Sequence, residues 1–225
     1  MANSDNKTII YRGQDMTRME TFVAAAFAFC LSMLAISVDS VPSNFEEFFL
    51  AAKSIPGFAA SFAIIVWIWY DHSQWCRRYG LEDGAAALLS CILVFLVLIY
   101  VYPLRMMMQG LFGFLSNGYF PFPMQFEQIW EVRFMFAFYA TGFLALCITF
   151  YFLYRHTLNL EQQLALTEDE IKELSDRRNS WFGVGCVCVL SLAIALLVPV
   201  KYISLSGFVY FLNFLVFYFA HREQK

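Results

Sequence analysis

Apolar and polar residues follow one another along this chain in long blocks, not in the one-sided stripes of a soluble helix or the alternation of a strand. Residues 1–17 are polar. Apolar blocks then run from about Thr21 to Val38, Ile55 to Trp75, Asp83 to Leu104, Ile129 to Tyr154, Trp181 to Val200 and Tyr202 to Ala220. Each block, wound as a helix, is long enough to cross about 30 Å of hydrocarbon. The pattern predicts an all-α polytopic membrane protein with six transmembrane helices. A polar N-terminus, 1–17, precedes one membrane domain over 18–225.

The connections differ in character. Residues 39–53 form an acidic loop in which Phe45, Phe48 and Phe49 suggest a short amphipathic helix. The second block ends in Trp67, Trp69, Tyr70 and Trp75, an interfacial aromatic belt. Residues 105–128 mix Met and Phe with Ser116-Asn117-Gly118 and Pro121-Phe122-Pro123, breakers that predict an interfacial segment in place of a span. In the polar linker 155–180, Thr167 and Glu170 have the spacing of a capping box, which predicts a second short helix there. Basic residues set the orientation. Lys7, Arg12, Arg18, Arg77, Arg78, Arg155, Lys172, Arg177, Arg178, Arg222 and Lys225 fall on one side; Lys53, Arg105, Arg133 and Lys201 fall on the other. The richer side is the cytoplasmic one, so both termini are expected in the cytoplasm.

Composition agrees with the blocks: 60% of the 225 residues are hydrophobic, 19% aromatic and 15% charged, against about 25% charged in soluble domains. The bilayer is therefore the expected solvent. A net charge of −3 offers no footprint for nucleic acid. Because residues 1–17 are polar, the first block reads as a span and not as a cleaved signal peptide. Of the six cysteines, Cys30, Cys91, Cys147, Cys186 and Cys188 lie inside apolar blocks and Cys76 lies beside Arg77, which predicts free thiols.

Polar groups within the blocks are few. Wound at about 100° per residue, the first block places Arg18, Phe22, Ala25, Phe29, Ser32, Met33 and Ile36 within an arc of roughly 80–100°. Such a stripe is either ordinary helix packing or the lining of a pore or substrate path. Arg18 either snorkels to headgroups or joins a buried network. Asp71 and His72 close the second block on the same side, so an Arg18–Asp71 pair or a cluster of Arg18, His72 and Trp69 is geometrically open. His72 is either a hydrogen-bonded interfacial histidine or a titrating sensor. No catalytic motif and no metal-ligand spacing occurs, and no cofactor is implied. A proton-coupled carrier would need a mid-span carboxylate, which the blocks lack.

Arg18-x-x-x-Phe22 opening the first span, an acidic loop with Pro42, a second span ending Trp69-x-x-His72 and a third ending at Pro103 resemble the transmembrane protein 175 family. These are endolysosomal potassium channels and their bacterial six-span relatives. The resemblance covers spans one to three best and the rest by layout. It implies a homotetramer whose first helices line a central pore, with an apolar constriction and permeability to potassium or other monovalent cations. Phe29, Ser32, Met33 and Ile36 then fall at pore-facing positions, and Arg18, Phe22, Trp69, Asp71 and His72 become the network that braces the helices. The family signature continues from its phenylalanine with Ser-Asp; here Val23 and Ala24 stand instead, and Asp71 is the candidate replacement carboxylate. The resulting expectation is a cation channel in a bacterial inner membrane. The alternative is a non-conducting interaction or signalling subunit on the same scaffold, docking a partner through residues 105–128.

Overall fold

The structure, a computed structural model, describes residues 11–13, 15–36, 42–122 and 124–213. Six helices dominate: α1 (Arg18–Ile36), α2 (Phe45–Lys53), α3 (Ile55–Tyr79), α4 (Gly84–Leu115), α5 (Ile129–Asn159) and α6 (Glu168–Leu197). A one-turn helix, α7 (Leu205–Phe208), follows between two 3-10 turns. Among the described residues α1, α4, α5 and α6 are long and apolar enough to span a membrane; α2 and α3, bent by 40° at their junction, make a fifth if taken together. The last part of the expected sixth block, 214–220, lies outside the described residues.

Helix ends follow local chemistry. The Asn44 side chain accepts from the Glu47 N–H at 2.9 Å and starts α2, while Asp83 accepts from Ala85 and Ala86, both at 2.9 Å, and starts α4. Gly80, at φ +60°, ends α3 in the left-handed conformation that glycine adopts without strain. The predicted box forms: Glu170 donates its N–H to Thr167 Oγ1 and accepts from the Thr167 N–H. It does not open a separate short helix. Between Glu170 and Trp181 there is neither glycine nor proline, so the turn it starts runs on unbroken into the fifth span as α6. Likewise α4 does not stop at Leu104. It continues through Pro103 to Leu115 and takes in the first part of the expected interfacial segment. Proline removes one backbone donor, and spanning helices tolerate that where neighbours pack around the gap.

The helices assemble around α5 and α6. Phe150 and Trp181 stack with centroids 4.2 Å apart and planes 4° from parallel, and Trp67 of α3 adds a further face at 5.1 Å. Gly142 lets α5 approach α4 so closely that a Cβ there would stand 2.8 Å from the Tyr100 ring. Among the described residues α1 packs chiefly on α3 and α4, burying Glu20, Val23, Phe27, Cys30 and Leu34, one side chain per turn. It is the least buried of the four spanning helices, at 28% against 39–44%. All six cysteines are free.

Candidate functional site

Two features stand out from the packing, a buried polar hub and an open helix face. The hub is centred on Asp71, on the last turns of α3. Its Oδ1 accepts from Arg177 Nη1 at 2.6 Å; its Oδ2 accepts from Tyr154 Oη at 3.0 Å and Trp181 Nε1 at 2.9 Å. One carboxylate thereby joins α3, α5 and α6, with three donors on two oxygens. Beside it, His72 Nε2 lies 2.9 Å from Ser90 Oγ of α4, and Trp75 Nε1 donates to Thr157 Oγ1 of α5 at 2.8 Å. His72 is 1% exposed, and its second ring nitrogen lies 3.7 Å from Cys76 Sγ. Of its two sequence readings, the hydrogen-bonded structural histidine is the one this environment matches.

Ion pairs gather at this same end, Arg12–Glu170, Arg78–Glu173 and Arg177–Asp71, and His156 Nε2 lies 2.7 Å from Asp83 Oδ2. The Arg12 guanidinium holds the Glu170 carboxyl well below its usual range, at about 2. At the other end, cations serve as helix caps. Arg133 donates to the Ala195, Leu196 and Val198 carbonyls that end α6, and Arg105 to the Leu34 carbonyl near the end of α1 at 3.4 Å.

The expected pairing of Arg18 with Asp71 is not the one formed. Asp71 is taken by Arg177, and Arg18 is exposed at the start of α1. Phe22 and Trp69 are exposed as well, so of the five expected network residues only Asp71 and His72 enter the buried hub. The residues missed were Arg177, Tyr154 and Trp181. Arg177 and Trp181 stand four apart, one helical turn on one face, and a lone carboxylate ending an apolar block needs a donor; together those two signals point to them.

The second feature is the outer face of α1. Phe29 is 59% exposed and Ile36 78%, and Phe22, Ala25 and Ser32 share this face. Met33 is half-buried at its margin. Ser32 Oγ donates to the Ala28 carbonyl at 3.0 Å, which leaves oxygen lone pairs directed away from the helix. The chain covers this face with nothing from its own described residues.

A model of the endosomal/lysosomal potassium channel TMEM175 matches residues 18–103, which hold α1, α3 and much of α4. A protein of Marivirga tractuosa named "Potassium channel" is 31% identical over 92% of this chain and 87% of its own length. The chain belongs to the TMEM175 family. The likeness extends to three dimensions: a crystal structure of a variant of the potassium channel MtTMEM175, in complex with a nanobody–MBP fusion, superposes with a TM-score of 0.80 at 28% identity, covering 97% of each chain. This TMEM175 relative is thus a membrane protein of a potassium channel family. The bonds to its Asp71 carboxylate come from α5 and α6, and Ala24 of the first helix carries no carboxylate.

Among the described residues no three His, Cys, Asp or Glu side chains are grouped to hold a metal ion.

Proposed function

We propose that this protein is a channel for potassium and other monovalent cations, formed by a homotetramer with α1 of each copy lining the central pore. The observation that carries it is the open face of α1. A spanning helix with only 28% of its apolar window buried inside its own chain, and with Phe22, Phe29, Ser32 and Ile36 left uncovered, has room for copies of itself and for a conduction path. In this reading Phe29 and Ile36 form the apolar constriction and Ser32 a ring of hydroxyl oxygens. Met33 flanks the path. An apolar neck passes ions only when wetted, so its diameter is the gate.

Arg18, Phe22 and Trp69 are assigned to contacts between copies, since all three are exposed on a single chain. Asp71 and His72 keep their bracing role through new partners. Six spans with both termini in the cytoplasm of a bacterium, in its inner membrane, agree with the single-ended cluster of ion pairs and with the bacterial relative.

The test is potassium and sodium flux in liposomes holding the purified protein. Phe29→Ala should raise flux about tenfold by removing four rings from the neck. Flux that the substitution leaves unchanged sinks the assignment of α1 to the pore. An intact oligomer with no flux from either protein favours the non-conducting interaction subunit instead.

A further inference from the structure

We propose that Arg12 is the inner anchor of α1: it clasps the chain just ahead of that helix to the start of α6 and the end of α3, and so fixes where the helix enters the membrane. The clasp is made in three ways. The guanidinium is bidentate on Glu170, Nη1 to Oε1 at 2.7 Å and Nη2 to Oε2 at 3.0 Å, the fork geometry that arginine alone provides. Its Nε donates to the Leu164 carbonyl at 3.0 Å, in the turn that leads to α6. The backbone N–H groups of Arg12 and Gly13 donate to the Arg78 and Arg77 carbonyls at 3.2 and 3.1 Å, satisfying acceptors that the last turn of α3 leaves without helical partners.

The approach is close enough to demand glycine. A Cβ on Gly13 would stand 2.7 Å from the Cys76 carbonyl oxygen, and one on Gly80 would meet Arg12 and Gly13 backbone at 3.1 Å. The receiving carboxylate is itself immobilised, because Glu170 is also the second half of the Thr167 box.

The need for an anchor follows from the packing of α1. With α3 and α4 as its main neighbours among the described residues and the smallest buried share of the spanning helices, α1 has little inside its own chain to set its position. It is tied near its two ends instead, by Arg12 at the inner end and by Arg105 on the Leu34 carbonyl at the outer. If α1 lines the pore, loosening the inner tie scatters its side chains and lets an apolar neck wet more often. That consequence rests on the channel reading; the anchoring does not.

The experiment pairs hydrogen exchange with flux on the full chain in liposomes. Arg12→Gln and Glu170→Gln each remove one half of the clasp, and glutamine at 170 retains the Thr167 box, so α6 keeps its start. Each variant should speed amide exchange across Thr21–Val23 by about tenfold with α6 unaffected, the double variant adding little to either single. Exchange in α1 that stays at the wild-type rate in both overturns the anchor. Faster exchange should accompany basal potassium flux raised about threefold, with Arg12→Lys intermediate because an ammonium makes no fork. Faster exchange with unaltered flux overturns the coupling to the pore, and faster exchange in a protein whose wild type passes no ion retains the anchor while sinking the channel reading itself.

Discussion

At the scale of single residues, Asp71 shows how one carboxylate is made tolerable at the end of an apolar helix. It is 7% exposed, and its charge is met by one guanidinium, one phenol and one indole from two other helices. Removing the charge leaves Arg177 only Glu173, at 3.6 Å, as a counterion and turns an amide N–H₂ toward donors. Asp71→Asn is therefore expected to destabilise by about 2 kcal/mol, below the roughly 3–5 kcal/mol of fully buried pairs because Arg177 is partly solvated. A lower midpoint of thermal unfolding in detergent, with an unchanged helix content at low temperature, is the expected result; an unchanged midpoint would assign the hub no role in stability. Sequence alone singled out Asp71 but gave it Arg18. Both arginines flank apolar blocks, and only the one on the helix carrying Trp181 is brought within reach.

At the scale of elements, the start of α6 combines a capping box with the Arg12 ion pair on the same Glu170. The sign of its pH dependence follows. The carboxyl titrates at about 2 in the fold against an ordinary 4.5. Its stabilisation is thus complete above pH 4.5 and is lost as pH falls through about 2. Amides of Thr21–Val23, which the clasp holds, should keep a constant protection factor from neutral pH down to about 4.5 and lose protection below it, and Glu170→Gln should flatten that acid limb. A loss of protection near neutral pH in wild type would point to a different titrating group. The box was legible from spacing. That it begins a single long helix was not, because short and continuous helices share the same first turn and only the absence of a breaker before Trp181 separates them.

At the scale of the whole molecule, the channel reading requires the exposed stripe of α1 to face other copies. Single cysteines placed in a background free of the native thiols distinguish the faces. Phe29→Cys and Ile36→Cys should form disulfide-linked dimers under mild oxidation, since both sites face out of the chain. Phe27→Cys, at a position 2% exposed, should not. Cross-linking at Phe27 and none at Phe29 would reverse the orientation of α1. A native mass four times the 26.0 kDa chain would establish the tetramer.

The sequence by itself determined the membrane class and most of the helical blocks, because hydrocarbon accepts only backbone that is fully hydrogen-bonded. It also carried the family, through Arg18, Phe22 and the Trp69–His72 ending. The tertiary structure decided the pairings. Asp71 could have met any of several arginines, α4 could have stopped at Pro103, and Arg12 read as one more basic flank. Which cation reaches which carboxylate depends on how helices distant in sequence are brought side by side, here by the stacking of Phe150 on Trp181 and the close approach at Gly142. No local pattern encodes that placement, since each contact joins residues that are distant along the chain.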